Sequence, residues 1–205
     1  FAKLTDPTKG TVTVAANGGY TYTPTTGFSG TDSFTYRVTD ANGGQATATV
    51  TITVQNATPV TTGLANQTGT DAAAFSLATL GAFSDPNNDT LTLSATGLPT
   101  GLSIDPSTGV ISGTIDKGAS GSSPYTVTVT AKDPSNATVS ATFTLSVSNP
   151  APNANDDSVS TTTGTAVSNS VSSNDSDPDG DTLSFSKMSD PSNGTLLFNA
   201  NGTYT

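Results

Sequence analysis

The 205-residue chain contains no cysteine, histidine, tryptophan or glutamate, and only six lysines and arginines in total. Without cysteine no disulfide can staple the fold, so modest cores or a bound ion must hold it. Without histidine, cysteine or glutamate, the candidates for a tuned acid, base or nucleophile reduce to aspartates and hydroxyls, none in a catalytic motif. The chain does not read as an enzyme. Six cations against 16 acids, a formal net charge of −10, argue against nucleic acid as a partner, because neutralising phosphates takes lysine and arginine. The acid excess suits a cation instead. No apolar run approaches the roughly 20 residues that cross a bilayer, so no membrane insertion is expected. The opening residues carry no secretory leader pattern, and Phe1 does not read as a natural N-terminus.

Serine and threonine occupy 67 positions, and threonine alternates with Val, Ile, Ala, Phe or Tyr over long runs, as in half-buried strands. Every acid is aspartate, whereas an acidic helical chain would use glutamate. The acids therefore belong in turns. Residues 1–21 match residues 185–205 without gaps at an offset of 184, with 11 of 21 positions identical, which marks an internal repeat. Half that period also shows, because SDPNNDTLTLS at 84–94 repeats as SDPDGDTLSFS at 176–186, and VTDANGGQATA at 38–48 repeats as AKDPSNATVSA at 131–141. The repeating unit is a domain of roughly 92 residues, in two alternating variants. Asn-Pro-containing linkers at Gln55–Pro59 and Ser148–Pro152 fall where the period requires. The expected division is residues 1–55, the closing part of one domain; 57–149, a complete domain; and 151–205, the opening part of the next. In the complete domain, strands are expected near Ala73–Leu77, Leu91–Ala95, Val110–Ile115, Tyr125–Ala131 and Val139–Val147, with turns such as Asp105–Gly109 between them. About seven short strands per domain with no helical periodicity predict an all-β fold of tandem immunoglobulin-like Greek-key β-sandwiches.

One constellation carries chemistry. Asp177, Asp179 and Asp181 stand at alternate positions, with Gly180 between the last two and Asp175 just before; Asp85, Asn87 and Asp89 repeat the spacing one domain earlier. Alternate carboxylates turned inward can surround a hard cation that takes six to eight oxygens, and glycine permits the tight backbone. The same residues also make plain solvated turns. In an immunoglobulin-like sandwich the B-to-C loop, the F-to-G loop and the start of strand A share one end. That topology is expected to bring Asp133 to Asp85–Asp89 beside the linker Asn56, and Asp156 and Asp157 to Asp175–Asp181. Asp40 would belong to another such site.

Residues 98–114, LPTGLSIDPSTGVISGT, resemble the signature of dystroglycan-type, cadherin-like domains of bacterial surface proteins, and the similarity extends through Val147. Residues 20–54 resemble the second half of the cadherin-like tandem repeat of large RTX-type adhesins, and 153–186, ending in NDSDPDGDTLSFS, its first half. The resemblance implies a bacterial cell-surface or extracellular protein with Ca2+ between domains. It also implies neighbouring repeats of the same chain as partners, with a cell-surface or matrix glycan or protein as adhesion target. Two rival roles are a self-associating filament or matrix subunit and a carbohydrate-binding accessory module. For the latter, Tyr20, Tyr22 and Phe28 lie at or near loops, while Phe34, Tyr36, Phe75, Tyr125 and Phe143 fall mostly at inward strand positions.

Overall fold

Alternating threonine and apolar residues specify strands with one wet and one dry face, and the computed structural model, which describes residues 1–205, is built of such strands. There is no α-helix, only two short 3-10 turns at Leu80–Ala82 and Ala119–Ser122.

The first unit holds β1 (Ala2–Lys3), β2 (Gly10–Val14), β3 (Tyr20–Pro24), β4 (Gly30–Thr39) and β5 (Gln45–Val54). A long β4–β5 hairpin carries β1 on its far edge, while β2 and β3 pair separately. Its small core is Val12 and Phe34, with Tyr20 edge-on to Phe34 at 5.4 Å between ring centroids. Beside them the buried Asp32 ties loop to hairpin. Its carboxylate accepts the backbone N–H of Thr8, Lys9 and Ser33 and the Tyr22 hydroxyl, at 2.8–3.0 Å. Burial works to raise this carboxyl, but those four donors outweigh it and hold it below the usual carboxylate range.

The central unit is a closed sandwich of β6 (Val60–Thr61), β7 (Gln67–Thr70), β8 (Ala74–Ala78), β9 (Phe83–Ser84), β10 (Thr92–Thr96), β11 (Leu102–Ile104), β12 (Val110–Thr114), β13 (Tyr125–Lys132) and β14 (Thr138–Ser148). One sheet runs β10-β13-β14-β7 and the other β11-β12-β8, with β6 and β9 paired at the side. Val127, Val129 and Ala131 of β13 and Ala141, Phe143, Leu145 and Val147 of β14 turn inward at every second position, against Leu93, Ile111 and Ile115. Their register pairs Val127 with Phe143 and Val129 with Ala141. Outward neighbours are hydroxyl residues, Thr130 and Ser140 bonding across the strands at 2.8 Å. Strand β7 is the one parallel partner, lying along β14 from Leu145–Gln67 to Ser148–Thr70. Gly69 lets it approach, since a β-carbon there would sit 2.5 Å from Ile115 Cδ1.

The third unit has little regular structure: β15 (Asn169–Ser170) pairs with β16 (Thr203–Tyr204), and isolated bridges join Asn153 to Ser176 and Phe198 to Tyr204. Among residues 151–205 only Gly202 is buried. Sequence equivalence carries over locally, because Lys3 pairs with Asp6 in the first unit as Lys187 pairs with Asp190 here.

Candidate metal centre at the domain junction

Two turns of the same build present the acids. In the central unit the Asp85 carboxylate accepts the N–H of Asn87 at 2.9 Å and of Asp89 at 3.3 Å, and Asn88 takes a positive φ of 62°. In the third, Asp177 accepts the N–H of Asp179 at 3.1 Å and of Asp181 at 3.2 Å, with Gly180 at φ 81°. An aspartate that bonds to its own following backbone folds this turn locally, and the bond leaves the alternate side chains on one side.

Only the central unit brings a distant acid to that turn. Asp133 follows the last residue of β13 and starts the turn into β14, its backbone N–H donating to Ala137 O at 3.0 Å. Carboxylate oxygens of Asp85, Asp89 and Asp133 all lie within 4.8 Å of one another. Asp133 is 2% exposed and Asp85 8%. Asn56 of the linker closes the group, donating through Nδ2 to Asp133 Oδ2 at 2.7 Å, and Asn87 Nδ2 donates to Asp89 Oδ2 at 2.7 Å. Three oxygens remain buried with no hydrogen-bond partner: Asp85 Oδ2, Asn87 Oδ1 and Asn56 Oδ1. Buried acceptors are costly when unsatisfied, and with no N–H or O–H aimed at them the donor set is oxygen alone. All-oxygen sets suit hard divalent ions, and an irregular set suits calcium better than octahedral magnesium.

The first unit leans on this group. Gly27, at φ 79°, lies so close that a β-carbon there would be 3.2 Å from Asp89 Oδ1, and the hydroxyls of Ser29 and Ser135 meet at 3.2 Å. The sequence did not single out Gly27 or Ser29. No local pattern marks them, since the contact joins residues 106 positions apart. At the next junction Lys117 Nζ donates to Gly180 O at 3.2 Å, so the third unit's acidic turn is also met by its upstream neighbour. Asp71, also unmarked in the sequence, is buried at the opposite end of the central sandwich, accepting Ser120 N–H at 2.9 Å beside the end of β14.

In the third unit the group is Asp177, Asp179 and Asp181. Asp175 instead accepts the Asn155 N–H at 2.7 Å; Asp156, whose carbonyl accepts Asn174 Nδ2 at 3.2 Å, and Asp157 lie exposed outside any strand and outside the group. Asp177 and Asp179 face each other. As carboxylates neither can donate, which leaves both Asp179 oxygens shielded and without a partner. A hydrogen bond shared with Asp177, then burial and the Asp177 and Asp181 charges, push Asp179 up to about 6, while the same shared bond holds Asp177 low. Asp40 stands apart from any other acid, exposed, accepting the N–H of Asn42 and Gly44 at 2.9 and 2.8 Å.

Of the aromatic residues weighed as a sugar platform, Phe34 and Phe143 are buried and Tyr22 is tied to Asp32. Tyr20 is exposed at the mouth of an apolar groove in the first unit.

Strand order, period and paired junctions define a row of immunoglobulin-like sandwiches. Residues 1–53 and 149–205, together more than half of the chain, match the Bacterial Ig domain family, and the chain belongs to that family. Residues 58–148 match a second family of Ig domains, He_PIG. A comparison with curated proteins gave no significant match. Similar solved structures include mouse cadherin-23 EC22-24, at 16% identity and a TM-score of 0.39 over 69% of this chain and 50% of that one. Protocadherin gammaB7 EC3-6 is similar at 12% identity and a TM-score of 0.38 over 99% and 58%. An endo-fucoidan hydrolase of glycoside hydrolase family 107 is similar at 23% identity and a TM-score of 0.36 over 72% and 23%. The chain thus spans less than two thirds of each. No helix is long and apolar enough to cross a membrane.

Proposed function

We propose that the chain is a calcium-stiffened extender from the repeat region of a large bacterial extracellular or surface protein, a scaffold and not an enzyme. The observation that carries this reading is the buried group Asp85, Asp89 and Asp133, with three unpartnered oxygens, set where linker Asn56 and the upstream loop at Gly27 meet. Asp85, Asn87, Asp89, Asp133 and Asn56 would hold the ion. With the ion bound, their mutual repulsion turns into shared attraction, and the loop, linker and F-to-G turn are fixed together. A junction so fixed resists bending. Repeated along an array, it holds whatever the array carries away from the cell.

Small-angle scattering of the chain in calcium and in EDTA tests this. Calcium is expected to lengthen the maximum dimension and narrow the distribution of interdomain distances; identical curves in the two conditions would sink the proposal.

A further inference from the structure

The first unit brings no carboxylate to the central group, whose acids are Asp85, Asp89 and Asp133. What it brings is the loop between β3 and β4. Thr25 and Thr26 are exposed there, whereas Gly27, Phe28 and Ser29 are half-buried. The loop is tied down. Phe28 N–H donates to Thr25 O at 3.0 Å and Thr25 N–H to Lys9 O at 2.8 Å, while the buried Asp32 carboxylate accepts Lys9 N–H at 2.8 Å. Whatever the tip touches therefore moves with the whole first unit. It touches both walls of the group. On the B-to-C side a β-carbon at Gly27 would sit 3.2 Å from Asp89 Oδ1 and 3.9 Å from Asn87 O. On the F-to-G side Ser29 Oγ meets Ser135 Oγ at 3.2 Å, in the turn that Asp133 starts. Gly27 also adopts a φ of 79°, a region that residues with a β-carbon rarely enter. The contact of loop with turn recurs one unit on, where Lys117, between β12 and β13, donates to Gly180 O of the next acidic turn.

We infer, building on the cation reading above, that this loop is a lid on the central site and Gly27 its positioning residue, so that docking of the first unit raises calcium affinity without adding a charged ligand. Two physical effects act together. The lid takes water away from Asp89 Oδ1, and opposite charges attract more strongly where water is excluded. It also holds the two walls at one spacing, so that an arriving ion does not have to order them. Glycine is needed because lid and wall meet with room for a hydrogen and not for a methyl group; a side chain would push Asp89 back or lift the lid. Linkage makes the coupling reciprocal. The factor by which docking tightens calcium binding is the factor by which calcium tightens docking, so the first unit responds to a site to which it gives no carboxylate.

Calcium titration of the full 205-residue chain, followed by the melting temperature of the central transition, tests it, since that shift reports ions bound by the central unit. Gly27→Ala should need roughly five times more calcium, or a larger excess, for the same rise. In EDTA its central transition should match the parent's, because the acids repel one another and leave the lid free to stand off. Gly43→Ala is the control. That glycine belongs to the same unit, at φ 85°, and a β-carbon there meets nothing within 4 Å, so the variant carries similar backbone strain and should leave the calcium requirement unchanged. Ser29→Ala removes one hydroxyl contact without straining the backbone and should raise the requirement by a smaller factor; should Gly27→Ala unfold the first unit, this variant decides alone. A Gly27→Ala titration that overlays the parent's overturns the lid and leaves the central site standing. So does an equal loss in Gly43→Ala, which would trace the effect to the stability of the first unit. A parent whose central transition ignores calcium removes the cation reading itself, and the lid with it.

Discussion

Replacing Asp133 by asparagine should make the central sandwich more stable in EDTA and less responsive to calcium, two effects of opposite sign from one substitution. Shape survives the change, and among the hydrogen bonds only the one that Asn56 Nδ2 also donates to Ala57 O, at 3.0 Å, is given up. The retained Oδ1 still accepts Ala137 N–H, at 2.8 Å in the parent, and Asn56, now donating to Asp133, has an unpartnered Oδ1 that accepts from the new amide once its own amide turns over. What changes is charge. Two like charges 4.8 Å apart, the outer limit for this group, repel by about 1 kcal/mol in a water-like medium and about 3.5 kcal/mol at an effective dielectric of about 20. Relieving them only in part should gain on the order of 1 kcal/mol, about 4–8 °C for a domain of this size. With calcium at about 100 times its dissociation constant the parent should gain about 2.7 kcal/mol, or about 10–20 °C. The variant, one charged ligand short, should gain half of that or less. Differential scanning calorimetry reads both, the central transition being the one that belongs to the 13-residue core. A variant that melts lower than the parent in EDTA, or that matches the parent's calcium shift, refutes the reasoning.

Two further outcomes are expected. Leu145→Ala removes a side chain with no exposed surface from the middle of the core and should cost about 3 kcal/mol, which identifies the central transition by calorimetry; a shift under about 1 kcal/mol would mean that this sandwich is not packed as described. The Asp179 carboxyl should titrate near 6 in EDTA, followed by side-chain carbon NMR. A raised folded value means that its protonated form favours the folded turn, a contribution complete below the usual 3.8 and lost as the pH climbs through about 6. Asp177, held low, works in the opposite sense: its contribution is present above 3.8 and lost as the pH falls through its depressed value. Calcium competes with the proton and should drag the Asp179 midpoint down; a midpoint at 3.8 without calcium contradicts the facing-carboxylate geometry.

The strands with strong alternation were legible in advance: Val139–Val147 is the interior of Thr138–Ser148, and Tyr125–Ala131 falls one residue short of β13. Strands β7 and β11 were not. Gln-Thr-Gly-Thr carries no apolar rhythm, and it is a strand because β14 offers a free edge and Gly69 fits against Ile115. The aromatic positions divide similarly: strand alternation indicated that Phe34 and Phe143 face inward, but the capture of Tyr22 by Asp32 depends on a loop folding over from residues 8 and 9.

Residue order by itself determined the period, the strand-rich class and the two acidic turns, because each rests on bonds between near neighbours: an aspartate folding its own turn at Asp85 and Asp177, a threonine alternating with valine. The meeting of Asp133 and Asn56 with Asp85 and Asp89 was expected from the order of strands, but only tertiary structure decided which oxygens are left without a partner there, that Gly27 rests against the group, and that Asp175 turns away to Asn155. Those contacts join residues 20 to 77 positions apart, and they follow from strand register and from the docking of one unit on the next, which no short stretch of chain encodes.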